Sequence, residues 1–364
     1  MPTILPLQDI KNSDMIKPFD SKKSQKGTLE KTFDFFEVLG EGSFAKVFRC
    51  VDKDTGSSFA AKELHCNGDV EYKAKIEQEV EILKDLRHEN IVVLHQSFSE
   101  GDAIYLVMEL VDGGSLFDEI INQTVYTEKQ ALRITKQLLE ALEYLHSQRI
   151  VHRDIKPDNL LIQRPQDDSD LIIKVTDFGL AQRLPSDSDV ITCEAGGAAM
   201  FLAPETILEE PIGCAVDVWS TGVILYLMLA GYPPFWSSSD EQLLLSILRG
   251  HYTMPSPYWD NIKTTTKDLV RSLIVPQPEG RLTAAQALNH QAVSDGALGR
   301  KVSLERERKR DFLAVISGIR AMIKFKRANV KSASRRLSER GELKSPLPIH
   351  HNHSFQTELE SVFE

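Results

Sequence analysis

The apolar residues of this chain follow two periods, strand-like ones concentrated in the first part and mainly helical ones after it. From Phe33 to Phe48 and from Ser57 to Leu64, β-branched and aromatic residues flank a glycine-rich turn and the turn signal Asp54-Thr55-Gly56, the pattern of paired strands. Glu71 to Leu86 then predicts a helix, with Ile76, Val80 and Leu83 at i, i+4, i+7 spacing and Glu and Lys on the other faces. Beyond Gly113 the period is mainly helical, most clearly over Glu128 to His146 and Val216 to Ala230. With no internal repeat, a small strand-rich part followed by a larger helix-rich part makes this an α+β chain.

At 364 residues and 41% hydrophobic content the chain can bury a large core, and it has no apolar run near the roughly 18–20 residues that cross a bilayer. A soluble protein without a transmembrane segment is expected. Met1-Pro2-Thr3 begins neither a secretory leader nor a myristoylation signal, so the expected location is cytoplasmic. A formal charge of −10 argues against non-specific binding of nucleic acid. Cys50, Cys66, Cys193 and Cys214 are widely spaced and read as idle thiols, not a zinc cage or a disulfide framework.

Five segments carry recognisable chemistry. Gly40-Glu41-Gly42-Ser43-Phe44-Ala45-Lys46-Val47 places two glycines between strands, where backbone amides can approach phosphates; a plain hairpin turn uses the same residues. Lys62, after Phe59-Ala60-Ala61, sits on the next strand among small apolar residues, and Glu79 on the following helix is its best partner. His152-Arg153-Asp154-Ile155-Lys156-Pro157-Asp158-Asn159 is followed by Asp177-Phe178-Gly179 and then by Ala203-Pro204-Glu205.

These motifs, in this order, resemble the eukaryotic protein kinases over roughly residues 33 to 292. The resemblance implies a bilobal protein kinase fold, a small antiparallel β-sheet lobe with one helix and a larger mainly helical lobe, and a reaction in which ATP with Mg²⁺ phosphorylates protein substrates. It implies domain 32–293, divided into lobes 32–110 and 111–293, after a flexible N-terminal arm 1–31. It assigns Asp154 as catalytic base and Lys156 as the serine/threonine-type neutraliser of the transferring phosphoryl group. Asn159 and Asp177 would hold Mg²⁺. Nucleotide contacts would come from Leu39 through Val47, from Lys62 held by Glu79, and from the backbone of Glu109 and Val111 beside the gatekeeper Met108. Glu205 would pair with Arg281, and Asp217-Val218-Trp219-Ser220 would anchor the catalytic loop.

Gly231-Tyr232-Pro233-Pro234-Phe235-Trp236, Pro255-Ser256-Pro257-Tyr258-Trp259-Asp260 and Arg281-Leu282-Thr283-Ala284-Ala285-Gln286-Ala287-Leu288 narrow the resemblance to the calcium/calmodulin-dependent kinases, type II especially. That branch prefers Arg three residues before the phosphorylated residue, with Asp118 and Asp158 as the matching carboxylates; Ser115 replaces a Glu common among basophilic relatives. Residues 300–331 hold eleven Lys/Arg and three Asp/Glu, a charge of +8 in a chain whose remainder is −18. Phe312, Ile316, Ile319 and Phe325 there have 1-5-8-14 spacing, as a basic amphipathic helix fitting an acidic groove requires. A helix docked permanently on the large lobe or lying on a membrane surface is the plainer reading. By resemblance, 294–331 is an autoinhibitory segment released by Ca²⁺-calmodulin, with Ser303 as an autophosphorylation site that opposes redocking. The tail 332–364 is expected to be disordered, and a monomer is expected because no association domain follows.

Two departures stand out. Ala45 replaces the third glycine of the commonest loop. Gly197-Ala198-Ala199-Met200-Phe201 stands where most relatives have Gly-Thr-Pro-Gly-Tyr, so Ala198 lacks the hydroxyl that in the family bonds the catalytic Asp and Lys. A catalytically weak kinase-like scaffold and a pure calmodulin-binding interaction protein are the competing readings.

Overall fold

The computed structural model describes residues 29–42, 45–123, 126–165, 171–193, 198–237 and 239–295, together with Leu337. Its internal contacts divide it into two units, Met1–Leu86 with Val93–Leu110 and Arg87–Val92 with Val111–Glu364. No helix among the described residues is long and apolar enough to cross a membrane.

The first unit runs α1 (Leu29–Thr32), β1 (Phe33–Glu41), β2 (Ala45–Asp52), β3 (Ser58–His65), α2 (Val70–Leu83), β4 (Leu94–Glu100) and β5 (Ala103–Glu109). The strands form one sheet in the order β1-β2-β3-β5-β4, with every neighbouring pair antiparallel. The turn between β2 and β3 forms because Asp52 Oδ1 accepts from the backbone N–H groups of Asp54 and Thr55 at 3.0 and 2.8 Å, and Gly56 takes φ 71°. One face of the sheet buries Phe33, Cys50, Ala61, Phe98 and Val107, and Leu29 packs with them. Phe33 meets Phe59 and Phe98 edge-on at 5.9 Å. Leu29 also donates its N–H to Glu100 at 2.9 Å, so packing begins before residue 32, inside the stretch expected to be a flexible arm. Asp69 caps α2 by accepting from Tyr72 N–H at 3.0 Å. The buried stripe of α2 is Ile76, Glu79, Ile82 and Leu83; Val80 is only half-buried. Glu79 therefore lies on the apolar face, where an unpaired carboxylate would be costly.

The second unit runs α3 (Leu116–Gln123), α4 (Glu128–Ser147), β6 (Ile150–Val151), β7 (Leu160–Gln163), β8 (Ile172–Val175), β9 (Gln182–Arg183), α5 (Pro204–Ile207), α6 (Ala215–Ala230), α7 (Asp240–Arg249), α8 (Thr264–Leu273), α9 (Ala284–Leu288) and α10 (Gln291–Asp295). A reciprocal Thr127–Gln130 capping box starts α4, and its apolar stripe is buried. Every residue of α6 from Val216 to Ala230 is buried, as suits a helix apolar on all sides. A Cβ at Gly222 would meet Leu273 Cβ and Ile274 Cγ1 at 2.8 Å, so this glycine sets how closely α6 approaches α8. Residues 87–92 belong to this unit, not to the small lobe 32–110 in which the sequence placed them. Val92 N–H donates to Val175 O at 2.9 Å, Val175 N–H to Asn90 O at 2.8 Å, and Asn90 Nδ2 to Ile173 O at 3.0 Å. Leu337 is helical and fully buried, within the tail expected to be disordered; the rest of 332–364 and all of 296–331 lie outside the described residues.

Candidate active site

In the first unit the antiparallel register places Lys62 opposite Val47 on β2 and Leu106 on β5. Its Nζ reaches Glu79 Oε1 at 2.8 Å, with side-chain exposures of 13% and 5%. The expected Lys–Glu partnership is therefore present and largely shielded from solvent, so salt and water screen its attraction less than that of a surface pair. The glycine hairpin closes through Gly42 N–H to Ala45 O at 2.8 Å, with Gly40 opposite Val47 and Glu41 opposite Lys46. The Glu41 carboxylate lies 3.1 Å from Lys46 Nζ. A Cβ at Gly40 would meet nothing within 4 Å, so no crowding from the chain explains that glycine. Leu39 is an exposed apolar side chain at the edge of this hairpin. Ser43 and Phe44 lie outside the described residues. Glu109 donates its N–H to Val93 O at 2.9 Å and accepts Val93 N–H on Oε2 at 3.3 Å, which fixes the end of β5 beside the buried Met108. Val111 begins the longer stretch of the second unit and is half-buried.

In the second unit, α6 holds the loop after β6 in place. Asp217, fully buried, accepts His152 N–H on Oδ2 at 3.0 Å and Arg153 N–H on Oδ1 at 2.8 Å, while His146 Nε2 lies 3.0 Å from Oδ2. Burial alone would raise the Asp217 carboxyl, but the His146 hydrogen bond, the neighbouring His146 and His152 rings and the His152 N–H hold it below the usual aspartate range. His146 is a site residue the sequence reading missed; its one signal was a histidine in the last turn of the helix leading into the motif. Below this anchor, His152 Nε2 is 3.1 Å from Thr176 O and its ring meets Phe178 edge-on at 4.8 Å, tying the two motif loops together. Arg153 and Asp177 have φ values of 69° and 62°, left-handed conformations that non-glycine residues hold only when the surroundings enforce them.

Asp154 lies on this braced loop with its side chain 10% exposed. Lys156 Nζ donates to Asp154 Oδ2 at 2.6 Å, and Asn159 Nδ2 donates to the same oxygen at 2.9 Å and to Asp154 O at 2.8 Å. Burial lifts the Asp154 carboxyl above the ordinary range, and the adjacent Lys156 only partly offsets this. Burial opposes the charge on Lys156, but Asp154, Asp177 and Asp158 outweigh it and keep the ammonium protonated. The three residues expected to act together are thus joined in one hydrogen-bonded cluster.

The two carboxylates expected to read basic substrates differ. Asp118 Oδ2 already accepts Ser115 Oγ–H at 2.6 Å and Ser115 N–H at 3.2 Å. Asp158 has a buried Oδ2 without a hydrogen-bond partner, and burial raises its carboxyl. Ala198 is buried, as are Ala199, Met200 and Phe201, and Ala198 O accepts Phe201 N–H at 2.9 Å. The expected Glu205–Arg281 pair is buried, with Nη1 to Oε1 at 2.8 Å. Ser303, Phe312, Ile316, Ile319 and Phe325 lie outside the described residues.

Asp177 and Asn159 carry oxygen donors of the kind Mg²⁺ takes. Among the described residues no group of three or more His, Cys, Asp or Glu side chains is placed to hold a metal. A hard cation such as Mg²⁺ takes one or two protein oxygens and completes its shell with phosphate and water. Burial pushes the Cys50 thiol up to about 11 and the Cys214 thiol up to about 12, so neither serves as a nucleophile near neutral pH.

Comparison with known proteins agrees with this geometry. The protein kinase domain model matches residues 33–293. The calcium/calmodulin-dependent protein kinase type 1 of Caenorhabditis elegans is 38% identical over 88% of this chain and 93% of its own length. The type 1 enzyme of Macrobrachium nipponense is 39% identical over 76% and 79%. The calcium/calmodulin-dependent protein kinase type II alpha chain of Drosophila melanogaster is 40% identical over 71% of this chain and 48% of its own length. The likeness to the type 1 proteins thus runs along most of their length, whereas that to the type II protein covers about half of it. A match spanning both lobes, together with the Lys62–Glu79 pair and the Asp154 cluster, shows that the chain belongs to the protein kinase family and, within it, to the calcium/calmodulin-dependent protein kinases.

Proposed function

We propose that this serine/threonine protein kinase transfers the γ-phosphate of ATP to Ser or Thr hydroxyls near a basic residue, and that its C-terminal basic segment inhibits it until Ca²⁺-calmodulin binds. The observation that carries the catalytic part is the Asp154–Lys156–Asn159 cluster on a loop braced by Asp217. The substrate hydroxyl oxygen attacks the γ-phosphorus, its proton passes to the Asp154 carboxylate, and the bond to the β–γ bridging oxygen breaks to release ADP. Lys156 offsets charge on the transferring phosphoryl group, and Lys62, oriented by Glu79, engages the α/β-phosphates. Asp177 and Asn159 would hold Mg²⁺, which when bound neutralises phosphate charge. Leu39 to Val47 would cover the phosphates, and the Glu109 carbonyl and Val111 amide would meet the adenine edge.

The regulatory part rests on sequence. Residues 300–331 carry +8 against −18 for the remainder, and Phe312, Ile316, Ile319 and Phe325 supply an apolar stripe for calmodulin. Phosphate on Ser303 at the start of the segment would oppose its return. The protein is proposed to act in the cytoplasm as a monomer. The test is ATP turnover on an Arg-containing peptide with and without Ca²⁺-calmodulin, for the wild type and Phe312→Asp. Calcium-dependent turnover lost in the variant supports the proposal; turnover indifferent to calmodulin removes its regulatory half. The absence of a hydroxyl at the buried Ala198 favours the second reading, a weakly catalytic scaffold, which would show background turnover under every condition.

A further inference from the structure

The segment between Asp177 and Ala198 contains a set of contacts that the phosphate-transfer chemistry does not use. They converge on Arg149, immediately before β6 and five positions ahead of Asp154. We propose that Arg149 is a positioning residue whose guanidinium clamps residues 184–191 to the base of the catalytic loop, so that this stretch is held by encoded groups and needs no phosphate.

Arg149 touches the segment at four points. Its carbonyl accepts Leu184 N–H at 2.7 Å. Its Nη2 donates to Pro185 O at 2.6 Å and to Ser188 O at 2.7 Å, and its Nη1 donates to Asp189 Oδ1 at 3.2 Å. A planar fork can meet diverging carbonyls and a carboxylate together, which a single ammonium cannot. The Asp189 side chain is 91% exposed, so the charge pair contributes little by itself and the two main-chain carbonyls are the deciding partners.

The surroundings complete the clamp. On one side β9 pairs with β6, Ile150 opposite Arg183, and Arg183 Nη1 donates to Gln148 O at 3.0 Å. On the other, Ile191 and Ile212 exchange N–H···O bonds at 2.9 Å. A Cβ at Gly213 would meet Asp189 O at 2.6 Å, so the chain passes close beside the clamped turn. Arg149 itself has φ 59°, a left-handed conformation that glycine adopts without strain and arginine does not. An arginine there is a local backbone conflict, and the contacts of its side chain account for it. The clamp ties the loop carrying Asp154 to the strand that follows Asp177, and so links the proposed base to the proposed metal ligand. Arg153, in contrast, reaches Leu180 O at 3.1 Å.

The test compares full-length wild type with Arg149→Gly and Arg149→Lys, read by hydrogen exchange over peptides covering 182–191 and by steady-state kinetics. Arg149→Gly relieves the backbone, so its melting temperature is not expected to fall, while exchange at Leu184 and Ile191 speeds up by about tenfold, the weight of one hydrogen bond to a charged group. Turnover of a peptide drops several-fold with KM for ATP unchanged. Arg149→Lys, which keeps the charge and the left-handed backbone conflict without the fork, shows the same faster exchange and lower turnover as the glycine variant. Wild type treated with phosphatase until mass spectrometry finds no phosphate keeps its protection. Wild-type exchange in Arg149→Gly, full rescue by Arg149→Lys, or loss of protection on dephosphorylation each overturns the proposal. The exchange readout does not depend on catalysis, so failure of the clamp is distinguishable from failure of the proposed function.

Discussion

Asp217→Asn is the substitution that most directly probes the anchoring of the catalytic loop. The carboxylate satisfies His152 N–H and Arg153 N–H with different oxygens, at 3.0 and 2.8 Å, and sits 3.0 Å from His146 Nε2. An asparagine has one oxygen, so its NH₂ group must face one of two backbone donors in a fully buried position. One N–H then loses its acceptor at a cost of about 1–3 kcal/mol, and the remaining bonds lose their ionic character, for roughly 3–5 kcal/mol altogether. At ~2–4 °C per kcal/mol for a domain of this size, the melting temperature falls by roughly 6–20 °C. Because His152 and Arg153 lead directly to Asp154, kcat falls as well, by about 10²-fold for a displacement of ~1 Å. The depressed Asp217 carboxyl contributes stability above its unfolded value and loses it as pH falls through the lower folded value; the variant lacks this acid-side slope. Differential scanning fluorimetry between pH 3 and 8, beside peptide kinetics, makes the measurement. A melting shift below about 2 °C with unchanged kcat would refute the anchoring argument.

Three further outcomes follow from the site. Glu79→Gln leaves the Lys62 ammonium without its shielded counter-charge, so kcat/KM for ATP falls by about 10–10²-fold, equivalent to the ~1.5–3 kcal/mol of a charge-assisted bond, and an unchanged value would detach the pair from nucleotide binding. Asp154 must be ionised to accept a proton and its carboxyl is raised by burial, so the acid limb of kcat lies above that of an ordinary aspartate; Lys156→Met removes the group that offsets burial and moves the limb further up, visible in a pH–rate profile, whereas a downward move would contradict the arrangement. Ala198→Thr restores the hydroxyl the family uses against the catalytic pair and raises kcat several-fold on peptide; a lower kcat in a stably folded variant would show that this chain's loop has repacked around Ala198 and Met200.

Local chemistry made most of the frame legible. The strand pattern from Phe33, the Asp54-Thr55-Gly56 turn and the long helices of α4 and α6 follow from periodicity and turn signals, which act over a few residues. Lys62–Glu79 and Glu205–Arg281 were accessible because motif order fixes their partners. What stayed hidden depends on contacts between distant residues. Arg87–Val92 joins the second unit through β8, a pairing about 80 positions away that no local pattern announces. The two-residue strands β6 and β9 are too short to show alternation. Ile82 takes the buried place assigned to Val80 because the buried stripe runs through Ile76, Glu79 and Ile82 at a spacing of three, with a charged residue in its middle. That Asp118 is engaged by Ser115 while the Asp158 Oδ2 is not engaged, and that Arg149 grips two carbonyls, are facts of side-chain direction that residue order does not encode.

The catalytic account rests on Asp154, and the most direct measurement is transfer of labelled γ-phosphate from ATP to an Arg-containing peptide by wild type and Asp154→Asn, each with saturating Mg²⁺ and Ca²⁺-calmodulin. The account predicts robust transfer by wild type and a loss of about 10²–10⁴-fold in the variant, with ATP affinity retained. Equal rates for the two proteins would contradict it.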